Sequence, residues 1–183
     1  MKLRKIILCL FISILLFDFT NAKAFASTTQ DKATKTTVTV KTTAKTTIQT
    51  TKAKYSAADL RLMSAIIYCE AGSESYNGKL AVGIVIMNRV RSNRYPNSVK
   101  GVIYQKSQFS PVRTGSLNKA LKDYDKGGFT SAKEKESIKA AKAALSGEKN
   151  ITVNGKKKDF SKYLSFSGKI KGYTFKLGHH QFK

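Results

Sequence analysis

Glu70 and Glu74 stand four residues apart in "SAIIYCEAGSE" (residues 64–74), at the end of an apolar run in a chain with 34 Lys and Arg against 11 Asp and Glu. That pattern suits general acid–base chemistry, because a carboxyl held against apolar neighbours keeps its proton to higher pH and can deliver it to a leaving group. The plainer reading is a helix end with solvated polar residues, and on pattern alone it is the commoner one. Asn88 is an amide on an otherwise apolar segment, suited either to satisfying backbone groups or to a sugar hydroxyl or N-acetyl group. Gln108, Phe109 and Ser110, ahead of Pro111, combine an amide, a ring and a hydroxyl as a groove-lining loop would. His180 reads as a structural histidine at a sheet end before it reads as a proton carrier. Cys69, with a histidine later in the chain, has the order of a cysteine peptidase. An activated thiolate prefers a helix N-terminus, however, and Cys69 falls late in its helix. No Cys/His cluster, H-E-x-x-H motif or EF-hand loop occurs, so neither a metal nor another cofactor is expected.

These residues need elements to position them. Ser56 with Asp59 forms an N-terminal cap, and counting about 100° per residue from Leu60 sets Met63, Ile67, Glu70 and Glu74 on one stripe about 80° wide. By the same count Cys69 points away from Glu70. Gly72 weakens this helix just past Glu70, leaving Glu74 in or just after its last turn. Asn77-Gly78 is a turn signal, and the following "KLAVGIVIMNRVRS" is apolar nearly all round, which predicts a central helix buried on every side. Tyr95 to Ser98 break the chain, a short helix or loop runs through "VKGVIYQKSQFSPV", and Ser131 with Glu134 starts a helix that Gly147 ends. Beyond it, "NITVNGKKKDF", "KYLSFSGK" and "KGYTFKLGHHQF" mix turn signals with apolar alternation and predict two to four short strands, with Tyr163 and Phe166 in the core or a groove wall. The fold class is therefore α+β, helices first and a small sheet last.

The N-terminus is a different kind of sequence. Lys2, Arg4 and Lys5, the apolar run Ile6 to Phe17, and Ala24-Phe25-Ala26 make a secretory signal over residues 1–26, cleaved before Ser27 or retained as an anchor. Its removal takes four basic residues and one acidic, lowering the formal charge from +23 to +20 and leaving Cys69 as the one cysteine. A domain of residues 55–183 must then be held by its core and not by a disulfide. Residues 27–54 contain 12 Thr and six Lys, with "KTT" three times, and read as a solvated linker. A charge of +20 on a secreted chain points to anionic cell-wall polymers or a membrane face as partner, not nucleic acid. A cationic wall-binding protein without catalysis fits that charge as well.

The stretch from "IIYCEAGSE" through "GKLAVGIVIMNRV" and Pro96 to "VIYQKSQF", closed by Gly178, His180 and Phe182, resembles the core motif of the SleB/CwlJ-type cell-wall hydrolases, the spore cortex-lytic enzymes. Two positions depart from that pattern: Gly72 stands where the family has arginine and Ser73 where it has glycine. The resemblance implies a lysozyme-like fold with a helical lobe and a smaller antiparallel β lobe around a groove. It also implies cleavage of the β-1,4 bond of peptidoglycan glycan strands between N-acetylmuramic acid (or muramic lactam) and N-acetylglucosamine; with the export signal, a secreted monomer acting at the cell wall or spore cortex is expected. The usual outcome is lytic transglycosylation, in which one carboxyl, Glu70, serves as acid and then base. Alternatives are a muramidase using Glu70 and Glu74, and a wall amidase or peptidase using Cys69.

Overall fold

Ser56 opens the first helix, α1 (Ala57–Ala71), in the computed structural model, which describes residues 55–183. The expected signal (1–26) and linker (27–54) lie outside the described residues. The cap is reciprocal: Ser56 Oγ accepts the Asp59 amide at 3.0 Å, and the Ser56 amide reaches Asp59 Oδ2 at 3.4 Å. Leu62 to Ile67 are all buried, so the middle of α1 is enclosed on every side and not along the single expected stripe.

The central helix is α2 (Tyr76–Arg91), apolar and buried from Gly78 to Ile86. It begins earlier than the Asn77-Gly78 signal suggests. Ser75 Oγ accepts the Gly78 amide at 3.3 Å, and this cap draws both turn-forming residues into the first helical turn. There Asn77 Oδ1 accepts the Thr152 amide, fastening α2 to the first strand. Three short helices follow, α3 (Val99–Ile103), α4 (Ser110–Arg113) and α5 (Ser116–Asp125), and then α6 (Ala132–Leu145), which starts on the Ser131–Glu134 box. The small face of α6, Ala140, Ala141 and Ala144, is fully buried against α1 and α2. The approach is close enough that a Cβ at Gly83 would stand 2.9 Å from the Ala144 methyl. Each fully buried Ile on these faces contributes roughly 1.5–3 kcal/mol of transfer free energy.

The C-terminal part has five strands in two antiparallel sheets, where one sheet of two to four strands is expected from the sequence. β1 (Asn150–Val153) and β2 (Lys156–Asp159) form a hairpin whose Asn154-Gly155 corner sits at positive φ, the geometry of a two-residue turn between twisted strands. β3 (Phe166–Ser167), β5 (His180–Phe182) and β4 (Phe175–Leu177) pair in that order. Strands this short are held by aromatic packing: Phe160, fully buried, meets Tyr163, Phe175 and Phe182 with ring centroids 4.4–5.6 Å apart.

Candidate active site

Glu70 lies in the last turn of α1, where the buried core gives way to a cleft with two arms. The larger, about 990 Å³, runs past Cys69, Ser110 and the exposed side of α5. The smaller, about 250 Å³, runs between Gln108–Ser110 and Phe166–Gly168, with His180 and Arg89 in its wall. Glu70 and Ser110 belong to both, so the carboxyl stands where the arms meet. Burial raises the Glu70 pKa, and burial is the one cause: no donor or neighbouring charge among the described residues holds the carboxylate. A half-buried carboxyl without a partner keeps its proton to higher pH than a solvated one.

Glu74 is in the opposite state. It sits past the end of α1, in the turn before α2, and does not line either arm. Burial alone would raise its pKa, but the His179 ring and amide, at 2.7 and 3.2 Å from Oε1, outweigh that and hold the carboxylate ionised. Two glycines make room for it. A Cβ at Gly78 would fall 2.8 Å from the Glu74 Cβ, and a Cβ at Gly178, where φ is +56°, would overlap the carboxyl itself. Beneath the turn, buried Lys79 donates to the Glu74 carbonyl at 2.5 Å and pairs with Glu136 at 3.0 Å. Glu74 is thus a latch between the α1–α2 turn and the β4–β5 turn, with its partner adjacent to His180.

Cys69 lies late in α1, as expected. It shares the larger arm with Glu70, but burial first and the charge of Glu70 second push its thiol up to about 11, and its Sγ lies 3.7 Å from the Ser116 carbonyl. No histidine lines that arm. A thiol so protonated is not a nucleophile near neutral pH.

Asn88 lines neither arm of the cleft. Its Nδ2 donates to the Phe160 and Tyr163 carbonyls at 2.7 and 2.9 Å and its Oδ1 accepts from Arg91, so the amide is spent on anchoring the β lobe to α2. Phe109 offers no stacking face either, being 2 % exposed; it is a wall against which the Arg89 guanidinium packs at 5.5 Å. Gln108 and Ser110 are exposed on the smaller arm, as a groove-lining loop requires. His180 has its ring edge against Phe166; burial lowers its pKa and leaves it neutral at pH 7, and its Nδ1 is buried without a partner.

Two groups in the cleft are absent from the sequence-based candidates. Arg89 donates Nε to the Leu164 carbonyl at 2.7 Å, yet its Nη1 is buried unpaired in the wall of the smaller arm. An arginine buried on a mostly apolar helix is a legible signal. Asp123 of α5 lines the larger arm, and nothing in its local sequence marks it out.

A helical lobe, a small antiparallel β lobe and a half-buried carboxyl of raised pKa at the junction of a two-armed cleft are the arrangement of an enzyme. Residues 73–182 match the Cell Wall Hydrolase family, and the chain belongs to that family. The match begins just beyond Glu70. A spore cortex-lytic enzyme of Bacillus cereus is 43% identical over 63 residues, 34% of this chain and 24% of that protein, so the aligned part spans about a quarter of that relative. Among solved structures, the catalytic domain of the Bacillus cereus SleB protein is 27% identical, with a TM-score of 0.51 over 70% of this chain and 91% of that one. The catalytic domain of a germination-specific lytic transglycosylase, SleB of Bacillus anthracis, is 26% identical with a TM-score of 0.49, over 70% and 95%. The fold is lysozyme-like.

Proposed function

We propose that this chain cleaves the β-1,4 bond between N-acetylmuramic acid and N-acetylglucosamine in peptidoglycan, as a lytic transglycosylase with Glu70 as its single acid and base. The observation that carries the reading is Glu70 itself, its pKa raised by burial, at the meeting point of two arms that can take the strand on either side of one bond. Glu70 gives its proton to the glycosidic oxygen as the C1–O bond breaks. The resulting carboxylate then takes the proton of the muramic 6-hydroxyl as that oxygen closes on C1, forming a 1,6-anhydro ring. No water enters and the carboxyl ends as it began. A two-carboxylate hydrolase needs its partner about 5–9.5 Å away. Glu74, ionised and outside both arms, does not supply it.

Asp123 supports a second reading, because it shares the larger arm with Glu70. Against it, no carboxylate perturbs Glu70, whereas the charge of Glu70 is felt by Cys69 next to it. Mass spectrometry of fragments released from purified sacculi separates the two. Anhydromuramic ends with an active Asp123→Asn enzyme are expected; reducing ends with an inactive one make it a muramidase. The family resemblance and the export signal together support action outside the cell, on wall or cortex peptidoglycan.

A further inference from the structure

The larger arm carries a charge pattern that the acid chemistry does not use. Lys119 and Lys122 of α5, Lys126 at its C-terminal end and Lys133 in the first turn of α6 all line it. Spacings of three and four put the first three on one helix face. All four are exposed, and none has a carboxylate within ion-pairing distance among the described residues. Asp123 is the one acid besides Glu70 on the same lining. Like charges gathered this way repel and give the fold nothing, and an anionic ligand would relieve that repulsion. The four lysines are carried by α5, its C-terminal end and the start of α6, not by the last turn of α1 that holds Glu70. What they address therefore lies further along the substrate than the bond being broken.

We infer that the larger arm binds the carboxylates of the stem peptides on the glycan strand, making this a site for stem-bearing peptidoglycan and not for bare glycan. The inference rests on the proposed action on peptidoglycan. The glycosidically linked backbone of N-acetylated sugars is uncharged where its lactyl groups are amide-linked to stems, and those stems leave each substituted muramic residue close to a scissile bond, within reach of an arm that starts at Glu70. The volume, at the upper end of small-ligand pockets of about 300–1,000 Å³, leaves room for a peptide beside the sugars. Phosphodiester polymers attached to the wall share the chemistry but branch from it at sparse points.

The test is binding of the full chain to sacculi in a Glu70→Gln background, so that it is read without turnover. Three substrates are compared: whole sacculi, sacculi stripped of phosphate polymers, and stripped sacculi whose stem carboxylates have been amidated with carbodiimide and ammonia. The set Lys119→Gln, Lys122→Gln, Lys126→Gln and Lys133→Gln should weaken binding to stripped sacculi about tenfold, the size of four screened ion pairs together. Lys142→Gln, Lys156→Gln, Lys157→Gln and Lys176→Gln, which remove equal charge from exposed positions outside the arm, should weaken it less than about twofold, the scale of generic surface charge. Amidation should weaken the unmodified lysine set just as much without any mutation, and four Lys→Arg changes in the arm should restore binding. An equal loss in both lysine sets, or binding indifferent to amidation, overturns the inference. A lysine effect confined to unstripped sacculi overturns it in favour of phosphate polymers. Failure of the parent chain to release any glycan fragment would instead sink the proposed activity and leave this contrast to be read separately.

Discussion

At the scale of single residues, one carboxyl can be acid and base in turn only if nothing fixed in the site holds its charge. Glu70 meets that condition by burial without a partner, while Glu74, four residues on, is tied to His179 and stays ionised. Glu70→Gln should lower fragment release by about 10²–10⁴-fold with binding to sacculi intact, measured on purified wall. It should also raise the melting temperature at pH 7. The raised folded-state pKa means that ionised Glu70 opposes folding above its unfolded value, so the gain should vanish as pH falls below about 4.5, the unshifted value. Activity should fall as pH rises through the raised pKa, as the proton is lost. Glu74→Gln has the opposite sign in stability: it should cost about 1–3 kcal/mol by denaturant unfolding at pH 7, the scale of a charge-assisted bond. Because the folded-state pKa of Glu74 is depressed, that cost should shrink as pH drops below the unfolded value and through the folded one.

At the scale of elements, α2 is the beam that joins the two lobes, and its polar exceptions are the joints. Asn88 and Arg89 hold the 160–164 segment by three side-chain to carbonyl bonds, and that segment leads straight into Phe166 of the cleft wall. Asn88→Ala should leave the Phe160 and Tyr163 carbonyls unpaired at about 1–3 kcal/mol in unfolding experiments, and should raise KM more than it lowers kcat. Gly178→Ala should be worse than its one methyl suggests, because φ is positive and the Cβ enters the Glu74 carboxyl. Its loss of turnover should track displacement of His180, seen in histidine NMR shifts. Much at this scale was legible: both capping boxes, Ser56–Asp59 and Ser131–Glu134, start helices where the sequence places them. α5 was not, although Leu117, Ala120 and Leu121 follow helical spacing. Ten residues with no side-chain cap give too brief a period to stand out among lysines.

At the scale of the whole molecule, net charge governs association and not fold. The Thr/Lys-rich stretch 27–54 contributes six Lys against Asp31. Deleting it should weaken binding to sacculi at low salt, with the difference closing as added salt shortens the screening length below about 8 Å. The truncated chain should melt like the longer one; a lowered melting temperature would make that stretch structural.

The sequence by itself determined the α+β class, the buried central helix and the carboxyl at the end of an apolar run, because periodicity, caps and turn residues are local signals. It did not decide what each polar residue in an apolar setting was for. Asn88, Lys79 and Arg89 look alike in their helix, yet one anchors the β lobe, one props a turn and one lines the cleft. The same holds for the two glutamates. Only the tertiary structure, by bringing His179 to Glu74 across 105 residues and no partner to Glu70, lowers the pKa of one and raises that of the other. A carboxyl's pKa is decided by the groups packed around it, and those arrive from parts of the chain that no local pattern specifies.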